Sequence, residues 1–146
     1  FNQDGFINCA DIDALVSEIV AETNTIAFDL TGDGVVNQDD LTTWLSDAGA
    51  HNLGTGNAYL LGDANLDGNV DADDLLAWSE HRFTDSAGWC GGDFNADGST
   101  DVSDFNLWHT HQGRSAAATL VPEPASRSLL TFSCLGVFAL LRLRRR

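Results

Sequence analysis

The sequence predicts a mainly α chain built from loop–helix units in tandem, and three observations lead there. A twelve-residue acidic pattern with glycine at its sixth place recurs around Gly5, Gly34, Gly68 and Gly98. Each copy runs directly into an apolar stripe at helical spacing. The stretches before the later copies, Thr23–Phe28, Gly56–Gly62 and Ala87–Gly92, carry no helical periodicity. Each unit is therefore a loop followed by a single helix, repeated about every 30 residues.

The best-formed copy is Asp63–Asp74. Side-chain oxygens stand at places one, three, five, nine and twelve, on Asp63, Asn65, Asp67, Asp71 and Asp74, and Asn69 at place seven offers a backbone carbonyl. A hard dication takes six to eight oxygen ligands, and one short loop wraps around it only if glycine permits a sharp turn midway. The spacing is that of a calcium loop of the EF-hand type. The second copy presents Asp29, Thr31, Asp33, Val35 (carbonyl), Asn37 and Asp40, and the fourth presents Asp93, Asn95, Asp97, Ser99 (carbonyl), Asp101 and Asp104. The first begins inside its motif with Asn2, Asp4, Phe6 (carbonyl), Asn8 and Asp11. Its place one falls just before Phe1, which predicts a longer parent chain with Asp there. Up to four Ca2+ sites are expected, the first incomplete.

Charge agrees with this reading. The 146 residues carry 22 acidic side chains against 7 Lys plus Arg, a formal charge of −15. Before Gly113 the only basic residue is Arg82. Such a stretch repels nucleic acid and anionic membranes, and repels itself unless cations bind. The acids sit at fixed offsets with apolar residues between them, which argues against a disordered acidic run.

Place thirteen is Ile12, Leu41, Leu75 or Phe105, and place sixteen is Leu15, Trp44, Trp78 or Trp108. The tryptophans on this stripe read as core rather than as sugar-stacking platforms. Val16 and Ile19, then Leu45 and Ala48, extend the stripe in the first two copies. Ser79 and Arg82, then His109 and Gln112, interrupt it in the last two, whose helices should be shorter or less buried. Place eight holds Ile7, Val36, Val70 or Thr100, and predicts a short two-stranded contact between the loops of a pair. A lone loop–helix cannot bury its apolar face, so pairing is required. The expected organisation is a module at 1–49, a linker or ordered turn at 50–60, a second module at 61–113 and a spacer at 114–120.

Cys9, Cys90 and Cys134 are the cysteines, and Cys134 lies in the C-terminal apolar run. Cys9–Cys90 is the one disulfide open to the rest of the chain; Cys90 equally suits a buried thiol. No zinc-type Cys/His cluster and no nucleophile–base pair stands out, so no catalytic residue is expected in this stretch. Any catalytic domain, a glycoside hydrolase for example, would lie upstream of Phe1.

Beyond Gly113 the composition changes. Val121-Pro122-Glu123-Pro124 precedes an uncharged run at 128–141 and a terminal arginine cluster. The run predicts a C-terminal hydrophobic helix, short for a bilayer span, which takes ~20 residues. The arginines favour retention on the cytoplasmic side, with the rest of the chain outside.

The repeated loop with Asp at place twelve, followed by one helix, resembles the type I dockerin repeat, and Val121–Pro124 with the run and arginines resembles a PEP-CTERM sorting signal. The dockerin resemblance implies a mainly α fold of tandem calcium loop–helix repeats paired into two small modules. The sorting-signal resemblance implies an exported bacterial protein, processed by an exosortase-type enzyme and destined for the cell envelope or surface, its tail first held in the inner membrane. Dockerins bind cohesins through a Ser/Thr-type pair at places ten and eleven. Here those places are Cys9-Ala10, Gln38-Asp39, Ala72-Asp73 and Val102-Ser103, which depart from that pair. The expected function is a non-catalytic, calcium-stabilised module. The alternative is a dockerin that attaches a polysaccharide-degrading enzyme to a cohesin-type scaffold.

Overall fold

The computed structural model describes residues 1–85 and 88–116. The sorting motif Val121–Pro124 and the apolar run at 128–141 lie outside the described residues. Among the described residues no helix is long and apolar enough to cross a membrane.

Four helices run in chain order: α1 (Cys9–Ala21), α2 (Gln38–Asn52), α3 (Ala72–His81) and α4 (Val102–His111). Each starts at place ten of its loop. The place-nine residue, Asn8, Asn37, Asp71 or Asp101, is an N-cap in extended backbone whose side chain accepts from the N–H two residues on. The place-twelve Asp returns a bond to the cap's own N–H, which completes a capping box. Helix initiation is thus written into the loop. α3 and α4 have 10 residues each, against 13 and 15 for α1 and α2. Helices of 10 residues are marginal in isolation, so caps and tertiary contacts hold them.

The stripe residues form the core. Ile12 and Leu15 are fully buried and Leu41 nearly so, each contributing about 1.5–3 kcal/mol by area removed from water. Trp44 and Trp108 are buried and Trp78 is half-buried. α1 packs on α2, and α3 packs on α4. A single 3-10 turn, Trp89–Gly91, touches both α1 and α3, and one continuous apolar cluster runs from Ile12 to Trp108. Cys9 and Cys90 form a disulfide that links the first pair to this turn.

One expectation needs correction. Place-eight residues do not join loop to loop. Val70 exchanges backbone bonds with Gly113 and Arg114, beyond α4. Thr100 lies in β2 (Ser99–Thr100), antiparallel to β1 (Thr84–Asp85), beyond α3. The first pair follows the same rule through side chains: Asn24, beyond α1, accepts from the Val36 N–H at 2.8 Å, and Asn52, ending α2, donates to the Ile7 carbonyl at 2.9 Å. Each loop is closed by the chain that leaves its partner's helix. Packed stripes bring each helix end beside the other loop, and backbone groups buried there must find partners. The stretch 50–60 is ordered. α2 continues through Asn52, and Tyr59 is buried, its N–H on the Leu45 carbonyl at 3.0 Å and its ring 6.4 Å from Trp44. Within 50–60 the chain therefore ends one helix and returns Tyr59 to the core.

Candidate metal centre

All four loops share one backbone. The place-six glycines have φ of 86° (Gly5), 87° (Gly34), 88° (Gly68) and 89° (Gly98). Place four is also left-handed in every copy, at Gln3, Gly32, Leu66 and Ala96, with φ from 51° to 76°. Three of those four are not glycine. A left-handed turn at such residues is sterically costly, and its repetition marks a geometry the loop imposes. The sequence reading identified place six and missed place four, because no residue type there signals the turn.

The place-one carboxylate is wrapped by the turn. Asp63 accepts from the N–H of Asp67 at 3.2 Å and of Gly68 at 2.9 Å; Asp93 accepts from Asp97 at 3.1 Å and Gly98 at 3.0 Å. Asp29 accepts from Gly32, Asp33 and Gly34. In the second loop the Thr31 hydroxyl donates to Asp29 at 3.4 Å. Asn65 and Asn95 accept from the N–H of the place-five Asp and donate to its carboxylate. Place five in turn accepts from the place-seven N–H: Asp4 from Phe6, Asp33 from Val35, Asp67 from Asn69 and Asp97 from Ser99. In the first loop Asn2 accepts from the Asp4 N–H.

Place twelve is a clasp. Asp74 accepts from the N–H of Ala64 (2.8 Å), Asn65 (3.2 Å) and Asp71 (2.8 Å), tying places two, three and nine together. Asp104 does the same with Phe94, Asn95 and Asp101, and Asp40 with Leu30, Thr31 and Asn37. In the first loop Asp11 accepts from the N–H of Asn2 and Asn8. The clasp role was not legible in ligand spacing alone.

The charges in the third and fourth loops are poorly compensated. Burial pushes the Asp63 carboxyl up to about 7, and the negative charges of Asp74 and Asp67 add to the rise against the opposing N–H bonds. Burial likewise raises Asp93 to about 6, with Asp104 and Asp97 adding to it. Asp74 and Asp104 are also raised, chiefly by burial. In Asp40 burial acts the same way, but hydrogen bonds from Thr31, Asn37 and Leu30 outweigh it and the carboxyl lies below the usual range. Every buried acid among the described residues, Asp11, Asp40, Asp63, Asp74, Asp93 and Asp104, stands at place one or twelve. The donors are all oxygen, and among the described residues the side-chain partners of the loop carboxylates are Asn and Thr rather than Lys or Arg. That is an environment a hard dication fits. Among the described residues no three His, Cys, Asp or Glu side chains are already gathered as a metal cluster; the loops would rely on Asn, Thr and carbonyl oxygens as well as carboxylates.

Comparison with known proteins returns no matching family model, no matching curated protein and no matching solved structure.

Proposed function

We propose that the four loops are calcium sites of the dockerin-like kind and that this stretch is a non-catalytic, calcium-stabilised module of an exported protein. The observation that carries the reading is Asp63: a fully buried carboxylate, facing Asp67 and Asp74, in a loop whose left-handed places four and six recur in all four copies. A bound dication would supply positive charge that lets these carboxylates ionise together. Asp63, Asn65, Asp67, Asn69, Asp71 and Asp74 would hold it in the third loop, with their counterparts in the others. Because place twelve also caps the helix, binding free energy becomes folding free energy. The disulfide supports export, since such bonds persist in oxidising compartments. The test is far-UV circular dichroism during EDTA titration: helix content is expected to fall and to return with calcium. A signal indifferent to EDTA overturns the reading.

A second reading, docking onto a cohesin-type scaffold, draws on an open groove of about 320 Å³ between the first two loops and α2, where Phe6 is 72% exposed. Two place-ten residues speak against dockerin-style recognition. Cys9 is in the disulfide, and Gln38 donates to the Asn95 carbonyl. Pull-down with a panel of cohesins separates the readings.

A further inference from the structure

The 3-10 turn Trp89–Gly91 is where the two pairs of loop–helix units meet, and both of its neighbours are loop machinery. Cys9 is the first residue of α1, next to the cap Asn8 and two residues before the clasp Asp11. Cys90 lies three residues before Asp93, place one of the fourth loop. From Asp93 the connection is continuous. The Asp93 N–H donates to the Gly88 carbonyl at 3.0 Å, the Phe94 N–H donates to the clasp Asp104 at 2.9 Å, and the Phe94 ring packs edge-on to Trp89 at 5.4 Å. On the other side, Asp13 of α1 accepts from the Cys90 N–H at 3.1 Å. The polar contact from Gln38 to the fourth loop ends on α2 rather than α1. The covalent route from the fourth loop into α1 is this disulfide, and beside it run the Asp13–Cys90 hydrogen bond and the packing of Val20 of α1 over Gly98.

We propose that the Cys9–Cys90 bond couples the fourth loop to α1, so that a cation held by the fourth loop stiffens α1, and that a dithiol reductant breaks this coupling. The proposal rests on the calcium reading above. In the reduction, a thiolate of the dithiol attacks one cysteine sulfur and the other leaves as thiolate. The second thiolate of the reagent then closes its own disulfide and frees the first sulfur. The protein gains two electrons and two protons, and the dithiol is oxidised to a cyclic disulfide. Both cysteines are only part-buried, so a small reagent reaches them. Without the bond, the Asp13–Cys90 hydrogen bond and apolar packing still hold the turn against α1, and such contacts tolerate motion that a covalent strut does not.

The test is amide hydrogen exchange across Cys9–Ala21 in the full chain with calcium chloride, oxidised or treated with dithiothreitol, for the unsubstituted protein and Asp97→Ala. Asp97 is an exposed place-five residue, so its loss weakens the fourth site without removing the clasp. In the oxidised chain, Asp97→Ala is expected to speed exchange in α1 about tenfold, and in the reduced chain less than twofold; a double cycle of this kind isolates the coupling. An unchanged α1 in the oxidised variant, or an equal effect in both redox states, overturns the coupling while the calcium reading stands. Calcium leaving Asp63–Asp74 and Asp93–Asp104 unprotected in the unsubstituted chain overturns the calcium reading itself. If the reduced chain loses its helices, an unchanged α1 in the oxidised pair still ends the proposal.

Discussion

Trp108 donates its indole N–H to the backbone carbonyl of Asp71 at 2.9 Å. Trp78 returns the arrangement, donating to the Asp101 carbonyl at 2.8 Å. Trp78 and Trp108 thus each grip place nine of the other's loop, so α3 and α4 are related by an approximate twofold exchange. Glycine makes the approach possible. A Cβ on Gly62 would stand 2.9 Å from the Cα of Trp108, and one on Gly92 would stand 2.7 Å from the Cα of Trp78.

Gly92→Ala is therefore expected to destabilise the chain by at least about 2 kcal/mol, since φ is 95° there and the clash is with backbone. Chemical denaturation of the calcium-loaded protein measures it. Gly56→Ala, at a similar φ with nothing within 4 Å, should cost less, and the difference isolates the packing term.

The clasp makes its own prediction. Asp74→Asn replaces a carboxylate oxygen that accepts N–H groups with a donor, and should cost about 1–3 kcal/mol even in EDTA, through the lost cap and unpaired N–H groups. Asp73→Asn, exposed one residue earlier, should change stability by no more than about 0.5 kcal/mol. Equal effects in urea melts would show that Asp74 serves the cation only.

Protons and calcium should compete at Asp63 and Asp93. Their folded pKa values, about 7 and about 6, lie above the ordinary 3.8. A carboxyl held higher in the folded state binds its proton better there, so cation-free stability is greatest near pH 4 and falls as pH rises toward 7. Asp40, shifted downward, contributes stability above 3.8 and loses it only in stronger acid. Melting temperature in EDTA should rise between pH 8 and pH 5. In excess calcium it should fall over the same range, because protonation removes ligands.

The loops should not fill equally. The third and fourth carry four carboxylates each, while the second has three, with Thr31 at place three. Calorimetric titration should find the third and fourth sites tighter than the second. The second site filling first would reverse the ranking.

Much of this was legible because the loop is local. Ligand places, glycine turn and helix start all fall within twelve residues, and one Asp at place twelve serves as both ligand candidate and N3 cap. The left-handed turn at Leu66 and Ala96 was hidden, since neither residue type announces it. The closing of Val70 by Arg114 was hidden too, because two packed helices must first bring the distant strands together. The state of Cys9 and Cys90 could not be chosen from spacing, as 81 residues separate them.

By itself the sequence determined the four loops, the helices they start and the faces those helices bury, because hydrogen bonding and hydrophobic periodicity act over a few residues. Tertiary structure alone decided how the units meet: place eight against the tail of the partner helix, Tyr59 drawn into the core, and Cys9 on Cys90 at a turn shared by both pairs. Those contacts depend on where helices end once their apolar stripes are packed. No short stretch of chain encodes that.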